Sequence, residues 1–466
     1  MVLLAAMALG TPRVAGSSAG PMCSTQAGYL CIVAGTGRFG APTPGPAISA
    51  DLANPQGVAV DAAGNLYIAD NLNHVVEKVT PLGALSVVAG TGTYGAPTPG
   101  PATTSDLDDP SGVAVDAAGN LYIADNFNHV VEKVTPSGAL SVVAGTGTYG
   151  APTPGPATSS DLGNPGGVAV DAAGDLFIAD NFNHVVEKVT PSGALSVVAG
   201  TGSFGAPKPG PATGSDLGTP AGVAVDGAGD LYISDWGDFV VEKVTPSGTL
   251  SVVVGTGNSG EPIPGPATSS HLDDPWGVAV DAAGNLYVAD YFNHVVERVT
   301  PSGTLGVIAG TGSQGAVTPG PATSSDLGEA SGVAVDDFGD LYICDYLDDV
   351  VSVVAMAASM SVSAPPSVAA SPTPSVAASP APPVSTPARS TPSAAVSPAA
   401  SGAAGPPLTG PALVVIAFAI LLLAPVLVAL LGPRRRPPAN GTVEPPGEGG
   451  SPRPIPPLSP PPSTSP

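Results

Sequence analysis

Apolar residues return along this chain in short blocks of four to six, each closed by turn formers, and the whole arrangement repeats every 55 residues. Gly-Val-Ala-Val-Asp begins at Gly57, Gly112, Gly167, Gly222, Gly277 and Gly332 without drift. In the second unit the blocks occupy 112–116, 121–125, 129–134 and 140–145. They are rich in Val, Ile and Tyr, and each predicts a β-strand. None is long enough for a typical helix. Gly119 and Gly138 stand where tight hairpins need a positive φ. Four antiparallel strands joined by hairpins make one blade of a β-propeller.

The ends of the array predict closure. The sixth unit supplies strands at 332–336, 341–345 and 350–354 and then stops, while a surplus strand at 30–35 precedes the first unit. Pairing the two completes the last blade and removes two open sheet edges. The predicted fold is all-β: a six-bladed β-propeller closed by its N-terminal strand.

The motifs that carry this reading, Pro-x-Gly-Val-Ala-Val-Asp, Gly-Asn-Leu-Tyr-Ile-Ala-Asp and Asn-His-Val-Val-Glu-Lys-Val, resemble the NHL repeat across roughly residues 30–356. That resemblance implies a six-bladed propeller and a wide range of activities, from RNA and protein binding to extracellular sensing and lyase chemistry. Val75 and Glu77 depart from the basic residues that often follow the His in that family.

Hydropathy then divides the rest of the chain. Residues 1–28 open on an apolar run that resembles a signal peptide, although no basic residue precedes it. The propeller takes 29–356. Residues 357–410 are almost entirely Ala, Pro, Ser, Thr and Val, which predicts an extended linker reaching on the order of 170 Å. Within 411–432, the stretch 412–431 carries no charge and is long enough to span a bilayer. Three arginines, Arg434 to Arg436, place the Pro-rich tail 433–466 in the cytoplasm and the propeller outside a cell membrane crossed once. The Pro-Pro-Leu-Thr-Gly stretch at 406–410 resembles a sortase signal with Pro406 in place of its Leu.

Charge narrows the partners. Residues 29–356 hold thirty-five Asp and Glu against seven Lys and Arg, which disfavours nucleic acid and anionic lipid. Cys23 and Cys31 could pair in an oxidising compartment, and no Cys/His cluster suggests zinc.

Three enzyme-like motifs dissolve in context. Gly90-Thr-Gly-Thr-Tyr-Gly fits a dinucleotide fingerprint, but Pro97 and Pro99 leave no helix to receive a pyrophosphate. Asp337-Phe338-Gly339 occupies a repeat turn. The recurrent His74, His129, His184 and His294 read as hydrogen-bonding groups inside their own blades, and Asp61 and Asp70 as turn and strand-end acceptors.

The informative positions are those where the copies differ. A variable pair precedes each first strand, and from it Asp109, Asp274 and Glu329, helped by Asn54 and Asn164, are expected to line the channel mouth as a candidate Ca2+ site. Trp276, Trp236 and His271 add an asymmetric patch there. Loops of some twenty residues between blades carry Phe39, Tyr94, Tyr149 and Phe204, suited to a protein, peptide or glycan. The sequence therefore predicts a cell-surface binding or scaffold module. The alternative is a metal-dependent propeller enzyme, lyase or lactonase-like, with His271 as a base at the mouth.

Overall fold

A computed structural model describes residues 26–356. The linker, the apolar segment 411–432, the tail, the leader and Cys23 lie outside the described residues. No helix among those described is long and apolar enough to cross a membrane.

Six antiparallel sheets follow one another around a ring. In the first blade, β1 (Tyr29–Ala34) belongs to the far end of the ring, β2 (Gly45–Pro46) is a two-residue edge, and β3 (Pro55–Val60), β4 (Leu66–Asp70), β5 (Val75–Val79) and β6 (Ala84–Ala89) form the blade proper. The blocks become strands because both faces of each sheet are covered by neighbouring blades. All five residues of β4 are buried, which explains its nearly continuous apolar run. Between the first two blades, Ala59, Tyr67, Ala69 and Val76 pack against Val113, Leu121, Ile123 and Val134, and the other junctions repeat this layer.

The ring is closed as its ends predicted. β1 pairs antiparallel with Val350–Val354, matching Leu30 to Val354, Cys31 to Val353 and Ile32 to Ser352 before a bulge. Ser331 Oγ also donates to Pro55 O at 3.0 Å, joining the last innermost strand to the first. Cys31 and Cys344 are buried free thiols.

The interblade segments are more ordered than free loops. Each repeats Gly-Pro-Ala, as at 45–47: Gly45 and Pro46 pair with Leu85 and Ala84, adding a fifth strand to the blade's outer edge. A 3-10 turn with buried Ala47 follows, and the chain then enters the innermost strand. Thr36 donates to Asp51 across this segment, and the Thr-Asp bond recurs at Thr91–Asp106 and Thr146–Asp161.

A second departure concerns the repeated histidines: His74, His184 and His294 bond the next blade instead of their own, while His129 Nδ1 is buried without a partner. His184 Nδ1 bonds Gly218 O and His294 Nδ1 bonds Gly328 O, while Asp349, in the equivalent place, accepts Asn54 N–H at 2.9 Å. These positions end the turn after the second strand in the left-handed region (φ 53 at His74), which aims the side chain outward across the junction.

Candidate binding site at the channel mouth

Each second strand ends in a buried Asp that ties down the residues entering the same blade. Asp70 accepts Ala53 N–H and Asn73 Nδ2–H, both at 2.7 Å. The residue after that Asp therefore stands at the channel mouth, beside the pair that precedes the innermost strand: Tyr291 N–H donates to Asp274 O, and Tyr346 N–H to Glu329 O. It is Asn71, Asn126 and Asn181 in the first three blades but Trp236, Tyr291 and Tyr346 in the last three.

This substitution splits the mouth. On one side amides bond each other and the backbone: Asn71 Nδ2 donates to Gln56 Oε1 at 3.0 Å, and Asn164 Nδ2 to Asn126 Oδ1 at 2.8 Å. On the other side aromatic rings form a continuous wall. Trp236 and Trp276 stack with centroids 6.2 Å apart, Trp276 meets Tyr291 at 5.4 Å, and Tyr291 meets Tyr346 at 6.1 Å. Ser234 Oγ donates to Trp276 O and fixes its backbone. Asn181 Oδ1 and Trp236 Nε1, one on each side of the divide, are buried without partners.

Acidic groups border the wall. Glu329 hydrogen-bonds Tyr291, and burial pushes its carboxyl up. Burial likewise raises Asp274 to about 7, and Asp109 and Asp349 to about 6. The cations stand elsewhere. Lys188 and Lys243 bond Asp175 and Asp230 at the hairpin end opposite the mouth, Lys78 and Lys133 lie over Tyr67 and Tyr122, and Lys208 pairs with Asp216.

Among the described residues, Asp274 and Glu329 belong to no His, Cys, Asp or Glu cluster of metal-ligand spacing. Asp109 and Asp274 belong to the second and fifth blades, on opposite sides of a six-fold ring. The one His and carboxylate cluster of ligand spacing among the described residues is His74 with Asp108 and Asp109. Its Nδ1 lies 3.4 Å from Asp109 Oδ1 and accepts Asp109 N–H at 3.3 Å. One nitrogen and two carboxylates do not meet calcium's preference for six to eight oxygens. Asn54, Asp109, Asn164 and Asp274 share a structural reason for being there: each has φ between 54 and 65°, a conformation that Asn and Asp tolerate better than most residues.

His271 stands in the place of the looped Asp residues. Its Nδ1 bonds Thr256 Oγ1 at 2.8 Å and Asn258 O at 3.2 Å, so it staples its own loop. Phe39, Tyr94, Tyr149 and Phe204 are half or more exposed. Tyr94, Tyr149 and Phe204 meet His74, His129 and His184 edge to face, which places them on the mouth side of the ring. Asp61 is a turn acceptor, taking Ala63 N–H, Asn65 N–H and Tyr67 OH.

Sequence reasoning missed Tyr291 and Tyr346, although the change from Asn to aromatic after each Asp was visible. It also missed five buried carboxyl pairs. Glu77 is fully buried and faces the Asp70 carboxyl, and its oxygens find no donor on any other residue. Burial and the facing Asp70 push the Glu77 carboxyl well above the usual carboxylate range, which favours its protonated form. The signal was Glu in phase with Val75 and Val79 in a strand covered on both sides.

Six four-stranded blades, each with a short added edge, around a closed channel define a six-bladed β-propeller. Residues 24–203 match the Teneurin NHL domain and 272–296 the NHL repeat. NHL repeat-containing protein 2 of Homo sapiens is 26% identical over 350 residues, covering 66% of this chain and 47% of that protein. Teneurin-3 of Mus musculus is 27% identical over 254 residues, covering 47% of this chain and 9% of that protein. These matches and the six-bladed fold support an NHL-repeat propeller family for this chain, which spans less than half the length of these curated relatives. Two solved structures from Bacteroides thetaiotaomicron share the fold over 70% of this chain and 75% of theirs. A protein of unknown function does so with a TM-score of 0.55 at 15% identity, and an auxiliary nutrient binding protein with 0.52 at 13%.

Proposed function

We propose that this propeller is a binding module displayed at a cell surface, which receives a protein or peptide partner on the mouth side of the ring. The observation that carries this reading is the concentration of exposed aromatics there. Phe39, Tyr94, Tyr149, Phe204, Phe127 and Phe292 all project from interblade segments or second-to-third-strand turns on that side. Contiguous exposed apolar surface rimmed by polar groups is characteristic of interaction sites. The apolar segment at 411–432 and the arginines after it support a membrane tether. A metal-dependent enzyme at the mouth is the weaker reading, because the carboxylates it needs are spread around the ring.

The test is capture of surface proteins on immobilised propeller and on the variant Tyr94→Ser, Tyr149→Ser, Phe204→Ser. The changed side chains are largely solvent-exposed, so the melting temperature should move little. The expected result is a partner retained by the wild type and at least tenfold depleted on the folded variant. Equal capture by both would remove the mouth side as the binding surface.

A further inference from the structure

We propose that the aromatic half of the channel mouth is a seat for an arginine side chain. This deepens the reading of the mouth side as the partner-binding surface and rests on it. Three observations converge. First, Trp236, Trp276, Tyr291 and Tyr346 make an unbroken wall from three successive blades, and each ring keeps part of its surface in solvent. Trp and Tyr faces attract cations, and Trp does so most strongly. Second, Asp274 and Glu329 enter the ring directly beside Tyr291 and Tyr346, and Glu329 is bonded to Tyr291. A flat guanidinium can stack on a ring while its edge donates to a carboxylate, which an ammonium does less well. Third, no lysine neutralises the charge. Lys78, Lys133, Lys188, Lys208 and Lys243 are engaged at other aromatic rings or carboxylates, and Arg298 lies against Tyr287, which leaves His294 as the basic group acting on Glu329. Burial raises both carboxyls, and a cation seated beside them would restore their charged form.

The opposite half of the mouth argues for direction. Asn71 and Asn126 already bond Gln56 and Asn164 there, so those amides have less to offer a ligand than the aromatic side. At this position copies one to three carry Asn and copies four to six carry Trp or Tyr. Folding does not demand such a difference.

The chain has a built-in reporter, because its two tryptophans are the two at this site. The experiment titrates the full propeller with blocked pentapeptides Gly-Gly-X-Gly-Gly, where X is Arg, Lys or Gln, and with cellobiose, following tryptophan emission. The expected result is a saturable change with the Arg peptide, several-fold weaker binding of Lys, and none of Gln or cellobiose. Raising salt from 50 to 300 mM should weaken Arg binding at least threefold. Glu329→Gln should weaken it about fivefold while leaving the melting temperature within a few degrees. A silent Arg titration, or equal responses to Arg and Gln, overturns the proposal, and a response to cellobiose alone assigns the wall to sugar. Failure here with capture still sensitive to Tyr94, Tyr149 and Phe204 sinks the arginine seat alone. Insensitive capture sinks the broader reading.

Discussion

The propeller is expected to melt at a lower temperature at pH 8 than at pH 5, the reverse of a protein held by ordinary salt bridges. The cause is the set of buried pairs Asp70–Glu77, Asp125–Glu132, Asp180–Glu187, Asp235–Glu242 and Asp290–Glu297, every member fully buried. Burial and the facing Asp push each Glu well above the usual carboxylate range. The Asp partners are raised to about 7 in the first, second and fourth blades and about 6 in the third and fifth. A folded state that keeps protons the unfolded chain has released loses stability as pH climbs. The contribution is complete below the ordinary carboxyl range and disappears as pH passes through the folded values. Each retained proton costs about 1.4 kcal/mol per pH unit in that window. The thiol of Cys344, itself raised by burial and by Asp70 and Glu77, faces the first pair and adds no countercharge. His74, His129 and His184, lowered by burial, act in the opposite sense below the ordinary histidine range, but they are fewer than the carboxyl pairs. Glu132→Gln keeps a donor for Asp125 and removes the titration, so it should flatten the slope by about one proton. A melting temperature that climbs from pH 5 to pH 8 would refute the retained-proton account.

Gly112→Ala should cost about 3 kcal/mol or more, an effect out of proportion to one methyl group. Gly112 lies on an innermost strand, where the backbones of neighbouring blades meet around the channel. An added Cβ would sit 2.5 Å from Gly166 O and 2.8 Å from Gly167 Cα. Both are backbone atoms, so relief requires the ring itself to widen. Gly227→Ala is the control, because a Cβ there meets nothing within 4 Å. The same position is Ala62, Ala117, Ala172 and Ala282 in other blades. Urea unfolding of the two variants measures the contrast. Equal midpoints would mean that the blades do not pack backbone to backbone at the hub.

The architecture was legible because one 55-residue unit repeats with the period of strands and turns, and because the surplus at 30–35 matches the deficit after Val354. What the repeat concealed is whatever depends on two blades at once. His184 pairs across a junction because its left-handed backbone turns it outward, which no local pattern announces. Gly45-Pro46-Ala47 looked like loop sequence, yet Gly45 has its partner strand forty residues later, at Leu85. Asp109 and Asp274 looked like ligands for one ion because equal positions in different copies were read as near in space. No cluster of ligand spacing among the described residues unites them. The wall of Trp236, Trp276, Tyr291 and Tyr346 was half seen, since only its tryptophans are rare enough to draw notice.

Channel, mouth and binding side all exist only if the first strand completes the last blade, and Val353→Cys tests that pairing directly. Cys31 and Val353 are matched partners in the β1 ladder, and matched antiparallel Cα atoms lie about 4.5–5.5 Å apart, within disulfide reach. With Cys23→Ser and Cys344→Ala to silence the other thiols, mild oxidation followed by peptide mapping should recover, in high yield from folded protein, a disulfide joining Cys31 to the thiol introduced by Val353→Cys. Free thiols at both positions in protein that remains folded and monomeric, or a crosslink between two molecules, would contradict the closed ring.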